Sequence, residues 1–396
     1  MPTARSLRAL DFVTFFVADV QTGFGPFIAV YLTANKWTQG QIGVALSLGT
    51  VAALIGQVPV GALVDALRNK RVAAMVGVLA VSGSALLFAL FPVQLPVYIA
   101  ELLHGVASCV LTPAIAAVSL ALVGHAALGE RLGRNARFAS IGNGTAAGVM
   151  GLIGSYVAPS AVFWLTAVLG IPAMIALVLV DGADRVERSA VSGPFDWRAL
   201  RDLLADRRLL AFSLCILLFH LSNAAMLPLA AASITKSVGQ LADIIVGACI
   251  VVPQIVVAVM SPWVGRRAAR FGRRPMLVLG WGMLAARGAL MAIAPDVWFV
   301  TAVQALSGVS GAVFGVLFAL ISDDLTIHNG RFNLCMGVLG LNVFVGAALS
   351  TTIGGWMADQ FGDPAAFLGL AAVGLAGTLA CRLLMPETRP APAARA

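Results

Sequence analysis

Long apolar runs separated by short polar breaks set the rhythm of this chain. The runs fall at residues 10–33, 41–64, 72–91, 97–123, 136–157 and 161–180. A second set follows at 209–234, 241–263, 275–294, 297–322, 332–357 and 364–385. A helix rises about 1.5 Å per residue, so a hydrocarbon core about 30 Å thick is crossed by about 20 residues. Each run therefore predicts a crossing helix, and the pattern predicts an all-α membrane protein with twelve transmembrane helices arranged as six plus six. The expected organisation is a six-helix bundle over 1–180, a linker over 181–208, and a second six-helix bundle with a short tail over 209–396. Arg5 and Arg8 before the first run resemble the start of a signal peptide. That run extends from Leu10 to Thr33, too long for one, and further spans follow, so it reads as a retained first helix.

The breaks carry a repeat. After the second run lies Gly61–Arg71, Gly-Ala-Leu-Val-Asp-Ala-Leu-Arg-Asn-Lys-Arg. After the eighth lies Gly265–Arg274, Gly-Arg-Arg-Ala-Ala-Arg-Phe-Gly-Arg-Arg. The first copy keeps an acid (Asp65) and has Arg68 where the second has Gly272; the second has Ala269 in place of the acid. Gln21, Pro26 and Thr33 are echoed by Asn223, Pro228 and Thr235, and Gly133-Arg134 by Gly330-Arg331. Matching breaks in two halves read as a duplicated membrane unit.

Composition agrees with this picture: 60% hydrophobic and 11% charged residues, with a mean hydropathy of +0.93. The net charge of +8 does not point to nucleic acid, because the basic residues sit at the ends of apolar runs and not on one face. Of the 26 Lys and Arg residues, all but Lys36, Lys236 and Arg287 fall on one side of the alternating spans. The positive-inside rule then places both termini in the cytoplasm (N-in, C-in). Five cysteines, each within an apolar run, make neither a disulfide framework nor a metal-spaced cluster. Between the halves, Asp181–Arg208 has balancing charges, and Trp197, Leu200 and Leu204 share a face that suits an interfacial helix. The Pro- and Ala-rich tail after Pro386 reads as disordered.

With six plus six helices, a polar central segment and a basic hinge after the second span of each half, the whole chain resembles the major facilitator superfamily. That family's hinge runs Gly, three residues, Asp, a basic residue, Gly and two more basic residues. Gly61, Asp65 and Lys70 match in the first copy, while Ala66, Arg68 and Asn69 depart. Gly265, Arg270, Gly272, Arg273 and Arg274 match in the second, without the acid. The resemblance implies that the hinges, with Lys70 and Arg71, latch the cytoplasmic side of an outward-facing transporter. It also places Asp65 near Arg331 at the start of the eleventh helix, where a helix N-terminus favours a carboxylate.

An ionisable group inside a span costs several kcal/mol unless it finds a partner or a cavity, so each marks a functional candidate. Here they come in pairs spaced i, i+3 on one helical face: Asp19 with Thr22, Glu101 with His104, His220 with Asn223, and Gln304 with Ser307. Each pair lies on the first helix of a three-helix unit, and the resemblance implies that these four helices line the central cavity. Asp19 lies near the midplane, where hydrocarbon favours a protonated carboxyl, as a proton carrier needs. Glu101 stands where many drug/proton antiporters of the family carry an arginine; it and His104 could share a proton. Arg287 either snorkels to the nearer surface or turns into the cavity, where it would suit an anionic substrate. Asp323, Asp324 and His328 suit a salt-bridge latch with a basic hinge. The glycines at 142, 144, 148, 151 and 154 lie in an apolar helix and read as close helix packing, not a dinucleotide loop. The sequon Asn143-Gly-Thr145 lies inside a span and is set aside.

The leading expectation is proton-coupled export of a small, largely apolar or weakly cationic compound by alternating access, with Asp19, Glu101 and His104 handling protons. The alternative is proton symport of an organic anion or metabolite, which an inward Arg287 would favour. A non-transporting sensor or assembly protein is the third reading. No His-Glu-x-x-His helix and no phosphate-binding loop is present, so the chain is not expected to be an enzyme or to use ATP. The expected partners are the small-molecule substrate, protons and lipid, with no nucleic acid, metal or cofactor. The expected setting is the bacterial inner membrane, with the chain as a monomer.

Overall fold

The protein is described by a computed structural model over residues 3–66, 69–181, 201, 203–294, 296–326 and 332–389. Within those ranges the side chains of 58–66, 120, 124–130, 132, 133, 136, 269, 323 and 332–334 are outside the description. The described chain is helical throughout, with no strand. Its elements are α1 (Ala4–Thr22), α2 (Pro26–Ala34), α3 (Gln39–Ala66), α4 (Lys70–Leu90), α5 (Gln94–Tyr156) and α6 (Ala161–Val178). The second set is α7 (Arg207–Asn223), α8 (Met226–Val238), α9 (Ala242–Phe271), α10 (Arg273–Ala292), α11 (Val297–Thr326), α12 (Phe332–Phe361) and α13 (Asp363–Leu383). Ten stretches of described helix are long and apolar enough to cross a bilayer, and one of them, Arg207–Ala268, runs over two of the expected spans.

Two expected single helices are broken, at matching places. The first run divides into α1 and α2 at Gly23–Gly25, and the seventh into α7 and α8 at Ala224 and Ala225. Gly25 adopts φ 94°, which a side chain would resist, and Pro26 follows without an amide to donate. Gly23 has no room for a Cβ, which would stand 2.2 Å from Thr166 Oγ1. In the second break, the Ala225 amide is taken up by Ser350 Oγ at 2.9 Å. The fourth and fifth runs instead join, because helical turns continue from Gln94 to Tyr156. Even so, Asn135 Nδ2 donates to Ser119 Oγ at 2.8 Å. Sixteen residues of straight helix would span about 24 Å, so α5 folds back on itself between them.

The chain forms two compact units: Met1–Gly193 with Ala231–Val251, and Pro194–Ala230 with Val252–Ala396. In the first, α5 packs on α1, α3 and α4, and α6 packs on α1 and α4. A stack of Tyr31, Phe88 and Phe163 fills its centre, fixed where Tyr31 Oη donates to Phe88 O at 2.8 Å. In the second, α10 packs on α11 and α13, and α7 on α12 and α13. Its core centres on Trp281, which donates from Nε1 to Cys215 O at 2.8 Å and packs against Phe219 and Phe314.

Each unit is pinned near its charged end. In the first, buried Asp11 on α1 meets Arg131 Nη2 at 2.5 Å and Arg134 Nη2 at 2.6 Å. Arg131 Nε also donates to Asn135 Oδ1 at 2.7 Å, so one acid ties α1 to the return of α5. In the second, Arg273 Nε donates to Asp324 Oδ2 at 2.9 Å and Nη1 to Ala268 O at 2.9 Å. Asp324 thus pairs with the basic hinge, inside this unit. The tail is not disordered up to Arg389. Glu387 Oε1 accepts the Arg273 amide at 2.7 Å, Thr388 Oγ1 donates to Asp324 Oδ2 at 3.1 Å, and Arg389 Nη1 donates to Arg270 O at 2.6 Å.

Candidate functional site

The break between α1 and α2 organises the polar groups of the first unit. Asp19 sits one turn before it, 3% exposed, and its Oδ1 has no hydrogen-bond partner. The returning arm of α5 lies against it: a Cβ on Gly142 would stand 2.9 Å from Asp19 Oδ1 and 2.5 Å from Phe15 O. Thr22 shares its proton between Ala18 O at 2.9 Å and Asn143 Oδ1 at 3.0 Å. Glycine at 142 therefore lets α5 press onto α1, and Asn143 holds the end of α1 without neutralising Asp19. A charge buried without a partner costs several kcal/mol.

Glu101, also 3% exposed, lies on the outgoing arm of α5 against α3. A Cβ on Gly49 would fall 2.2 Å from Glu101 Oε2, and one on Gly105 would fall 2.1 Å from Gly49 O. Its Oε1 has no hydrogen-bond partner. The pair with His104 does not form. His104 instead lies flat on Phe24, with ring centroids 3.8 Å apart and planes at 4°, and faces Ser108 Oγ at 3.4 Å. A spacing of three residues, nearly one helical turn, puts two side chains on one face, but Phe24 at the α1–α2 break offers the imidazole a larger surface.

The second unit repeats the break and changes its chemistry. Arg287 on α10 is 1% exposed and donates from Nη1 to Asn223 Oδ1, on the last residue of α7, at 2.7 Å. Snorkelling is thereby overturned, because the guanidinium points inward to the break. Two tight glycine contacts hold it there. A Cβ on Gly288 would lie 2.8 Å from Met226 Cε, and one on Gly374 would lie 3.0 Å from the Ala285 backbone and from Ser222 Oγ. His220 stands edge-on to Phe314 with centroids 4.9 Å apart, and its Nε2 has no hydrogen-bond partner. Gln304 on α11 is fully buried with neither Oε1 nor Nε2 partnered, and Ser307 one turn on is half-buried.

The hinge residues divide. Arg71 Nη1 donates to Val180 O at 3.1 Å and Val178 O at 3.4 Å, stabilising the end of α6. Lys70 is buried at the start of α4, whose N-cap Asn69 accepts from Val72. Gly272 takes φ 102° where α9 gives way to α10. Arg273 and Arg274 offer their amides to Glu387, at 2.7 and 3.2 Å, and Arg274 Nη2 donates to Arg382 O. Arg270 is exposed over the Phe271 ring, and the space around Gly265 is open. The side chains of Gly61 and Asp65, all of Arg68 and Arg331, the Asp323 side chain, and His328 lie outside the described residues. So does most of the expected interfacial helix, including Trp197 and Leu200.

Sequence reading passed over four residues that matter to this geometry. Asn143 is set aside with its sequon, and Asp11 is the second residue of an expected span, where an acid reads as the edge of the run. The i, i+3 pair Arg131 and Arg134 was the signal for it. Asp243 lies within three residues of an expected span boundary, and Glu387 lies in the tail. Among the described residues no cluster of metal-ligating side chains occurs. Gly142, Gly151 and Gly154 make the expected close contacts, whereas Gly144 and Gly148 have nothing within 4 Å.

Comparison with known proteins agrees on the overall class. The model of the Major Facilitator Superfamily matches residues 10–233 and 212–396. The uncharacterized MFS-type transporter Rv2456c of Mycobacterium tuberculosis (strain ATCC 25618 / H37Rv) is 34% identical over 393 residues, covering 97% of this chain and 94% of that protein. The multidrug resistance protein MdtH of Yersinia enterocolitica is 34% identical over 118 residues, which is 29% of each chain. A crystal structure of the nucleoside transporter NupG superposes with a TM-score of 0.84, over 96% of this chain and 100% of that one. At 12% identity that likeness shows the fold alone.

Proposed function

The chain belongs to the major facilitator superfamily, a multi-pass membrane transporter of small molecules and not an enzyme, and we propose that it is a proton-coupled exporter of the bacterial inner membrane acting as a monomer. Asp19 carries the proton. The observation that carries this reading is the placement of Asp19: buried beside a helix break, pressed by Gly142, with Oδ1 unpartnered. Glu101, buried against Gly49 without a partner for Oε1, is a second protonation site, and His104 acts by packing on Phe24 rather than by sharing that proton. Thr22, His220, Asn223, Gln304 and Ser307 face the substrate. The two basic hinges, Gly61–Arg71 and Gly265–Arg274, serve as cytoplasmic latches. Export of a small apolar or weakly cationic compound is favoured by the acids without cationic partners and by the partial likeness to a multidrug resistance protein.

Arg287 supports a second reading. A buried guanidinium on Asn223 at the α7 break suits a carboxylate or phosphate better than a cation, and so favours proton symport of an organic anion. Both readings use Asp19. The deciding experiment follows proton movement in everted vesicles as lipophilic cations, antibiotics and organic acids are added, with parent chain and Asp19→Asn. Proton release by a cationic or neutral compound, lost in the variant, supports export. A signal from organic acids alone selects symport, and an unchanged response in Asp19→Asn removes Asp19 as the carrier.

A further inference from the structure

Asp243 is a buried acid that neither reading employs. It lies in the first turn of α9, 2% exposed, and its Oδ1 has no hydrogen-bond partner. The last turns of α5 lie directly on it. A Cβ on Gly154 would fall 2.4 Å from Asp243 Cγ and 2.7 Å from Oδ2; one on Gly151 would fall 2.7 Å from Asp243 O. One turn along, a Cβ on Gly247 would fall 2.7 Å from Ala147 O, so α5 and α9 touch backbone to backbone. Ser155 Oγ accepts the Ile244 amide at 3.0 Å and closes the end of the contact.

The charges around it are few. The α5 arm from residue 140 to 156 holds no charged side chain, and its one titratable group, Tyr156, is exposed. The 3-10 turn Gly239–Leu241 before α9 holds none, and α8 holds only Lys236, which is exposed. On α9 itself the next charge is Arg266, six turns away. A glycine face alone would be plain helix packing; an apolar residue at 243 would serve it better. The helix N-terminus offsets part of the charge of an acid at this position, but an ionised carboxyl whose Oδ1 is buried without a partner still carries a desolvation cost that the neutral form avoids.

We propose that Asp243 is a proton-binding site separate from Asp19, and that it works as a clasp between the last turns of α5 and the first turns of α9. Protonated, it lets the first turns of α9 close on Gly151 and Gly154; ionised, it forces them apart and takes up water. The contact would then open and close with the proton supply beside it. The proposal rests on the chain being a transporter and not on Asp19, and its test reads the clasp directly.

The experiment is hydrogen–deuterium exchange of residues 239–250 in the purified full-length protein, in acidic and in alkaline buffer, compared with Asp243→Asn at the same pH. The neutral, isosteric variant should match the parent in acid. In alkaline buffer the parent should exchange at least about tenfold faster than the variant, the ratio for a 1.4 kcal/mol difference in opening. Gly154→Ala, which pushes the carboxyl off its seat, should exchange fast at both pH values. Equal exchange of parent and Asp243→Asn in alkaline buffer would overturn the proposal. So would a parent that opens equally in acid, or protection in Gly154→Ala equal to that of the parent.

Discussion

The two units bury charge of opposite sign at the same kind of place. Each has a broken helix at its start, α1–α2 in one and α7–α8 in the other, and each has an ion pair near its charged end. Near those ends the charges are matched: Asp11 by Arg131 and Arg134, and Asp324 by Arg273. Next to the breaks they diverge. The first unit leaves a carboxyl, Asp19, against bare glycine, whereas the second sets a guanidinium, Arg287, on a neutral amide. Duplication accounts for the shared breaks, and the opposite signs fit the two tasks proposed above: an acid can hold and release a proton, while a guanidinium keeps its charge and can hold an anion. On that proposal the ion pairs of Asp11 and Asp324 are architecture, and Asp19 and Arg287 beside the breaks serve transport.

The first way to break that distinction is at Asp11. Asp11→Ala leaves Arg131, nearly fully buried, without its acid, and removing one partner of a buried pair costs about 3–5 kcal/mol. We expect a large loss of resistance to thermal unfolding in detergent, while Asp19→Asn unfolds no more easily than the parent. Equal destabilisation by the two variants would mean that Asp19 is also structural, and the division between paired and unpaired acids would fail.

Much of this was legible in the sequence. The apolar runs lie mostly in helix, and the offset between Pro26 and Pro228 already marked a repeat, although not that each copy would divide a helix. Proline alone is compatible with a kink; the division came from Gly25 at positive φ and from Ser350 taking the Ala225 amide, neither of which a single run displays. Asp19, Glu101 and Arg287 stood out because charge in an apolar run is costly wherever it points. Their surroundings were hidden. The depth of Arg287 in its span suggested the nearer surface, but Gly288 and Gly374 draw α8 and α13 around α10 and leave the inward rotamer. Asp243 and Glu387 escaped because a residue near a span boundary reads as loop until its neighbour is known.

Arg287 offers the next test, of intermediate size. A hydrogen bond to a charged group is worth about 1.5–3 kcal/mol, which is roughly 10–100-fold in affinity. If the second unit binds an anion, Arg287→Met should weaken the apparent affinity for organic acids by that factor and leave the proton signal of Asp19 intact. Arg287→Lys should recover little, because an ammonium cannot present the planar fork that spans Asn223 and a carboxylate. An unchanged affinity in Arg287→Met would assign the guanidinium to holding α7 against α10, and the contrast of sign between the units would carry no function.

The smallest expected effect concerns the hinges, where the units differ by one acid. The second hinge has Ala269 where the first has Asp65, yet its helix N-terminus is not left bare. Glu387 in the tail accepts the amides of Arg273 and Arg274, and lies so close to Gly272 that a Cβ there would meet Oε2 at 2.2 Å. A carboxylate at the N-terminus of an exposed helix contributes about 0.3–1 kcal/mol and is screened by salt. Glu387→Gln keeps the shape and one acceptor, so it should lower thermal stability by no more than that, with the difference shrinking as salt is added. Gly272→Ala should cost more, because it both strains a φ of 102° and evicts the carboxylate. If Glu387→Gln is silent at low salt while Gly272→Ala destabilises, the strain at Gly272 accounts for the hinge alone, and the tail acid does not replace the missing hinge acid.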